Sequence, residues 1–371
     1  MELVVRKADL LRELQLFQGI VERKNTIPIL ANVLIEADGD QVKLLATDLE
    51  VALRSRCSAS VAKSGSLTLP AKKLYEIIKA LPDTDVRIEE NKNGVKVAAD
   101  RFDSRMQTLP REDFPTLPEG TGTFSATLPR DVLKRMVAMT QFAITGEDTR
   151  YFLNGALFIQ RPDIMSLVST DGHRLALISV PREKVKGKKG EEEERVILPR
   201  KTLLEMARLL SEGEGDIKYE RGENHLFFEI GGRLLISRMI DGQFPAFERV
   251  IPKSNDKRVE FDRDRLTSAV KRVALLSNER SRAVKVQMDK GKVEIASSSP
   301  EFGEAKEVIV VDYDGAPVTI CFNAQYVLDF LAVVETDSVG LEFKDEMSQA
   351  VMKPVGAEGY DYTYVIMPMR V

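Results

Sequence analysis

The sequence predicts an α+β protein made of three tandem copies of one domain, each copy two helices packed on antiparallel sheet. Three observations carry this: segments that recur along the chain in a fixed order, the helical spacing of apolar residues within some of them, and the strand-like alternation between them. "LPAKKLYEIIKAL" at 69–81 matches "LPRKTLLEMARLL" at 198–210 and, more distantly, "FNAQYVLDFLAVV" at 322–334; the starts lie 129 and 124 residues apart. Each has a strand-like lead-in followed by apolar residues at helical spacing. The segments 5–21, 128–144 and 261–277 form a second family, with Asp9, Asp131 and Asp264 near the start of each. An acid there suits the positive end of a helix. A third family comprises "LLATDLEVAL" (44–53), "LVSTDGHRLAL" (167–177) and "EIASSSPEFGEA" (294–305). A fourth pairs "DSRMQTLPREDFP" (103–115) with "ISRMIDGQFPAFERVIP" (236–252), and "YTYVIMPMRV" ends the third copy. A period of about 125 residues is too long for a solenoid unit and indicates duplication of whole domains, placed at 1–122, 123–254 and 255–371.

Between the helical segments apolar and polar residues alternate. "NVLIEADGDQVKLLATD" reads strand, Asp-Gly turn, strand, and "DIMSLVSTDGHRLALISV", "KVQMDKGKVEIASSS" and "DVRIEENKNGVKVAAD" read as further hairpins. The order within a copy is helix, strands, helix, strands. Residues 182–195, "REKVKGKKGEEEER", have one apolar side chain, Val185, and read as a solvated surface loop.

Composition narrows the function. Two distant cysteines, Cys57 and Cys321, argue against a zinc site or disulfide framework and fit a reducing, cytoplasmic setting. The start of the chain is charged throughout, unlike a signal peptide, and no run approaches the roughly 18 apolar residues of a membrane span. No cofactor and no membrane partner are expected. Net charge is −4, yet the six helical windows 5–24, 69–81, 128–145, 198–210, 261–279 and 322–334 hold eighteen basic against ten acidic residues. Basic helices in an otherwise acidic chain fit contact with a phosphate backbone; the other reading is solvation of amphipathic helices. With no Trp and 6% aromatics, there is no stacking surface for single strands and no cluster for reading bases, so any nucleic acid is held without sequence preference.

The densest cluster of chemistry is "STDGHRLALISV" at 169–180, which brings together Ser169, Asp171 and His173, one of two histidines. A metal-assisted hydrolase using Asp171 and His173 lacks further ligands, since His225 belongs to another hairpin. A Ser169–His173 nucleophile lacks a strained elbow. "ATDLEVAL" in the first copy keeps Thr47 and Asp48 without Gly-His-Arg. The Thr-Asp pair is therefore expected to be a side-chain-to-backbone turn, and Gly172, His173 and Arg174 are peculiar to the second copy.

Together, "STDGHRLAL", "RYFLNG" (150–155), "FPAFERVIP" (244–252) and the terminal "MPMRV" resemble the bacterial DNA polymerase III beta subunit family, the sliding clamps, over the whole chain. The resemblance implies three DNA-clamp domains that dimerise head to tail into a closed six-domain ring around duplex DNA, with no catalytic site. Its implied partners are duplex DNA held non-specifically, a second copy, and the DNA polymerase III alpha subunit, the clamp loader and other proteins carrying a clamp-binding motif. It places Lys24, Tyr151, Arg200 and Lys201 at DNA; charge alone adds Lys72, Lys73, Lys79, Arg135 and Arg280. It implies a dimer interface in which Arg101 and Arg105 approach Glu301, Glu304 and Glu307, with Leu275 and Leu276 as apolar contacts. A peptide-binding groove is implied between the second and third domains. One wall is Leu153, Thr170, Gly172, His173, Arg174, Leu175, Pro245, Arg249 and Val250. Asn323, Tyr326, Met347, Val365, Met367, Pro368, Met369 and Arg370 complete it. Flexible, polarizable Met suits a surface that receives several partners. Three residues depart from the resemblance: Glu147 stands where some members carry a neutral DNA-contacting residue, Phe152 replaces a second Tyr, and Ser104 falls near a position that is aromatic in some relatives. The alternative to the ring is a monomeric DNA- or RNA-binding scaffold of the same domain type.

Overall fold

A computed structural model describes residues 1–21, 26–122, 126–146, 148–182 and 193–370. Among them are six α-helices: α1 (Lys7–Phe17), α2 (Ala71–Ala80), α3 (Arg130–Thr140), α4 (Arg200–Leu210), α5 (Arg263–Ala274) and α6 (Ala324–Val333). Several are shorter than their sequence windows, for local reasons. In α3, Thr140 turns its Oγ1 back to the Met136 carbonyl at 2.8 Å, and a 3-10 turn, Gln141–Ala143, follows. After α5, Ser277 Oγ donates to the Ala274 carbonyl at 2.7 Å and the chain leaves the helix. Asp9, Asp131 and Asp264 do lie in first turns. Most of the loop expected at 182–195 falls outside the described residues.

The chain packs into two compact units, Met1–Lys134 with Lys201–Met239, and Arg135–Arg200 with Ile240–Val371. In the first, an eight-stranded antiparallel sheet runs in the order Ala126–Leu128, Ile217–Arg221, His225–Ile230, Arg233–Arg238, Val51–Ser58, Gln41–Thr47, Asn32–Asp38, Gly65–Pro70. A second sheet runs Ser60–Lys63, Glu2–Arg6, Asp85–Asn91, Gly94–Ala99, Phe102–Met106. The other unit has an eight-stranded sheet ordered Glu194–Pro199, Gly155–Gln160, Ile164–Thr170, Arg174–Pro181, Asp361–Ile366, Ala350–Val355, Ser338–Phe343, Lys257–Asp262. Its second sheet is Gly303–Val310, Lys292–Ser299, Ala283–Asp289, Val318–Asn323.

Each eight-stranded sheet is two four-stranded sheets from successive repeats fused edge to edge. The seam in the first unit pairs Val51 with Ser237 and Ala52 with Ile236; in the second, Arg174 pairs with Ile366 and Leu175 with Val365. In both, the strand that follows the Thr-Asp turn meets the last strand of the next repeat. Fusion satisfies backbone groups that an open edge would leave to solvent or to another chain. The counterparts at the ends of the series, Phe102–Met106 and Gly303–Val310, each stand at a sheet edge.

The helices are tied together by a device that recurs. The first residue of the leading helix reaches the carbonyl end of the second: Lys7 donates to Leu81 O, and Arg263 donates to Val334 O at 3.0 Å. Arg130 serves the end of α4 with bonds to the Leu209, Leu210, Glu212, Glu214 and Gly215 carbonyls. A cation there answers the unpaired carbonyls and the helix dipole. Part of the helices' positive charge is thus internal capping.

One buried ion pair crosses the first seam. Glu13 on α1, 2% exposed, takes both Arg233 Nε and Nη2 at 2.7 Å. Burial pushes the Glu13 carboxyl up, but the Arg233 hydrogen bonds and charge outweigh it and hold the carboxyl below its ordinary value. Because the folded value lies below the unfolded one, this pair stabilises above the ordinary Glu pKa, and the contribution is lost as pH falls through the folded value. Glu13→Gln, which leaves Arg233 buried and unpaired, is expected to cost about 3 kcal/mol at pH 7. In urea melts the gap between wild type and variant should narrow in acid; a gap independent of pH would contradict the assignment.

Candidate docking groove

The turn that opened the functional question is built the same way in both copies. Thr47 Oγ1 accepts from Leu49 N at 2.9 Å and Asp48 Oδ1 accepts from Glu50 N and Val51 N at 2.9 and 2.7 Å. Thr170 Oγ1 accepts from Gly172 N at 3.1 Å, and Asp171 Oδ1 from His173 N and Arg174 N at 2.9 and 3.0 Å. The Thr-Asp pair is scaffold, as its repetition implied. The residue between them needs a left-handed backbone: φ is +78° at Leu49 and +86° at Gly172. Glycine adopts this without strain and leucine does not.

Ser169 is fully buried and donates to Thr140 O at 2.6 Å, which removes it from any role beside the exposed His173. Among the described residues no group of three or more His, Cys, Asp or Glu is arranged to hold a metal ion.

Arg174 departs from the expected groove rim. Its side chain is 9% exposed and its donors are directed inward, Nε to Asp171 Oδ2 at 3.0 Å, Nη2 to Phe142 O at 2.7 Å and Nη1 to Asp329. The guanidinium lies 4.3 Å from the Tyr326 ring centre and 5.3 Å from that of Phe142. Burial works against its charge, but Tyr364, Asp329 and Asp171 more than compensate, and its pKa rises. Tyr364 is itself pushed up, chiefly by burial.

Around this turn lies an apolar cluster of Leu157, Ile159, Val168, Leu175, Ile197, Phe247, Val351 and Val365, with Phe152, Leu177, Ile240, Phe244 and Ile251 half-buried against it. Of the expected groove residues, Leu153, Leu175 and Val365 are buried and form floor; Thr170, Asn323, Tyr326, Pro368 and Met369 are half-buried. Gly172, His173, Pro245, Arg249, Val250, Met347, Met367 and Arg370 are exposed. The tail is pinned over the floor: Met367 N donates to His173 O at 2.9 Å and Met369 N to Cys321 O at 2.8 Å. Sequence reading missed Leu177, Ile240, Phe244, Phe247 and Ile251. The signal was present in "FPAFERVIP", because Phe247 has a repeat partner, Phe114, eight residues after the same Ser-Arg-Met. Among the described residues, the equivalent cluster in the first unit, Leu34, Leu45, Ala52, Phe114, Phe227 and Ile236 with others, has only Leu109 and Leu234 half-buried against it. The second unit offers more apolar surface to a partner.

The residues assigned to DNA are held unequally. Lys24 lies outside the described residues, as does Glu147. Tyr151 is 57% exposed and lies edge-on to Phe152; a Cβ on Gly242 would come within 3.2 Å of its ring, so that position admits little but glycine. Its loop is knitted by Asn154 and Thr145, and hydrogen bonds from Arg150 hold the Asp148 carboxyl at about 2. Arg200 and Arg280 are exposed, Lys73 pairs with Glu76 at 2.6 Å, and Lys79 sits over the Tyr75 ring; Lys72 is half-buried. Two more are paired within the chain. Lys201 binds Asp48 and donates to Ile20 O at 3.1 Å, and Arg135 pairs with Glu335 at 3.3 Å and stacks on Tyr360. Both charges are already compensated within the chain.

At the free edges, Arg101, Arg105, Glu301 and Glu304 are exposed, with Phe102, Leu275, Phe302, Val308 and Val310 as exposed apolar neighbours. Leu276 is half-buried. Glu307 is half-buried and bound by Arg272 of its own chain at 2.6 and 2.8 Å.

Fold and groove define a protein of three fused clamp-like domains. Family models for the DNA polymerase III beta subunit match it in order: the N-terminal domain at residues 1–118, the central domain at 127–246 and the C-terminal domain at 248–370. The chain belongs to the DNA polymerase III beta subunit family. It is 42% identical to the beta sliding clamp of Pseudomonas putida and 34% identical to that of Escherichia coli K12, with all of each chain covered. The crystal structure of the Pseudomonas aeruginosa DNA polymerase III subunit beta superposes with a TM-score of 0.92 at 38% identity over all of both chains. The same organism's sliding clamp bound to griselimycin gives the same values.

Gly172→Ala is expected to lower the unfolding free energy by about 1 kcal/mol, and Leu49→Gly to raise it by less than that. Thermal melts of the two variants check this; shifts of the same sign would contradict the shared turn geometry.

Proposed function

We propose that this chain is a sliding clamp: two copies close head to tail into a ring around duplex DNA, and a short apolar peptide of a polymerase or loader docks at the His173 groove. The observation that carries the ring is the unmatched pair of edges. Two seams within the chain join the strand after the Thr-Asp turn to the last strand of the next repeat. The third such seam is left to Gly303–Val310 of one copy and Phe102–Met106 of another. Exposed Arg101 and Arg105 on one edge and Glu301 and Glu304 on the other favour this register. The repeat extends the reading to Lys72, which occupies in the first copy the place of Lys201 in the second. Lys201 binds Asp48 across a seam, and Lys72 is assigned the same work toward the acidic turn at Glu301 of a second copy.

A closed ring holds DNA topologically, so phosphate contacts are weak, uniform across sequences and salt-sensitive. Tyr151, Arg200, Arg280 and Lys24 are the first choices for them, and Lys201 and Arg135 the last. The domains divide at 122/123 and 254/255. The protein acts in the cytoplasm as a polymerase accessory subunit with no catalytic site of its own. Among the described residues no helix is long and apolar enough to cross a membrane.

The ring predicts sedimentation at twice the 41.6 kDa of one chain at micromolar concentration. Leu275→Asp together with Phe302→Asp should give monomers, and a wild-type monomer would favour the scaffold reading. Loaded protein should stay on closed circular DNA in salt that strips it from linear duplex; equal loss from both would overturn the topological account. Griselimycin, bound by two relatives of this chain, should bind here, and Met367→Ala should weaken it about tenfold, or about 1.4 kcal/mol. Unchanged affinity would move the site elsewhere.

A further inference from the structure

We propose that Asp329, a residue outside the expected groove wall, is the positioning residue that fixes the two sides of the groove against each other. The inference rests on the groove reading above.

Its two oxygens face opposite ways. Oδ2 takes Arg174 Nη1, and through Arg174 it reaches the Thr170–Arg174 turn that carries His173. Oδ1 takes Gln325 Nε2 at 2.7 Å, and the backbone N–H of the same Gln325 donates to Asn323 Oδ1, the cap of α6, at 2.9 Å. Tyr326, on the same turn of α6, lies against the Arg174 guanidinium, and its carbonyl accepts from Tyr364 Oη at 2.9 Å. One carboxylate therefore links the turn on one wall to Asn323 and Tyr326 on the other.

The repeats show what is added here. An acid stands at this place in every copy: Glu76, Glu205 and Asp329. The position of Arg174 is Val51 in the first copy. Without that arginine, Glu205 is left 5% exposed with Arg208 at 3.3 Å as its ion-pair partner. At the groove, the added arginine uses the inherited acid to lock a fork in place. The planar guanidinium suits this work, because its donors leave in fixed directions toward Asp171, Asp329 and the Phe142 carbonyl.

The test measures griselimycin affinity by calorimetry on the full-length protein, beside melting temperature and sedimentation. Asp329→Asn and Arg174→Gln should each weaken binding about tenfold, the double variant should lose little more than either alone, and Asp329→Glu should recover part of the loss. A purely structural role would lower the melting temperature and leave affinity intact. Wild-type affinity in Asp329→Asn, while Met367→Ala still binds weakly, overturns the proposal and leaves the groove standing. Failure of the wild type to bind overturns the groove reading itself. Should Asp329→Asn not fold, Arg174→Lys reads the same contact: an affinity loss near tenfold supports the proposal, and wild-type affinity overturns it.

Discussion

Everything in this molecule depends on how sheet edges are satisfied. A four-stranded antiparallel sheet has two edges whose amides and carbonyls need partners. Here the strands that follow the Thr-Asp turns of the first and second repeats stand at such edges, and the next repeat brings its last strand to meet each. Two seams are closed inside the chain and one is left over, with its halves at Phe102–Met106 and Gly303–Val310. Oligomerisation then becomes the same contact made a third time, between copies. A heterologous contact either closes or grows into a fibre, and a threefold repeat that closes on its second copy is the economical case.

Seams also make the functional sites. At the first, Val51 and Ala52 follow the turn, Lys201 binds Asp48, and the buried Glu13–Arg233 pair clamps α1 to the sheet. At the second, the same turn carries Gly172, His173 and Arg174, and the chain tail is laid across it through Met367 and Met369. Glycine relieves the left-handed turn that Leu49 must bear. The apolar cluster beneath is common to both seams, and what differs is how much of it is left half-covered. Duplication supplied the apolar cluster at both seams, and more half-buried apolar side chains lie against it at the second.

Much of this was legible in the chain. The repeats gave the three domains because whole elements recur in order, and "ATDLEVAL" against "STDGHRLAL" separates scaffold from addition by sequence alone. Charge was harder to read. A lysine on a basic helix looks alike in sequence whether it faces phosphate, caps a helix end as Lys7 does, or binds an acid as Lys201 does. The inward posture of Arg174 could not be read either, because nothing in "GHRLAL" reveals Asp329, which lies 155 residues away. Phe244 and Phe247 carry no helical or strand periodicity, so the repeat of Phe247 with Phe114 was the one signal for that segment.

The central claim is that the two open edges are partners. Hydrogen–deuterium exchange across a dilution series addresses it directly. At micromolar concentration the amides of Phe102–Met106 and Gly303–Val310 should be protected together, and on dilution both should lose protection at the same concentration while the internal seams at Val51–Ser58 and Arg174–Pro181 keep theirs. Edge strands that exchange freely at every concentration, or that change independently of one another, would contradict it.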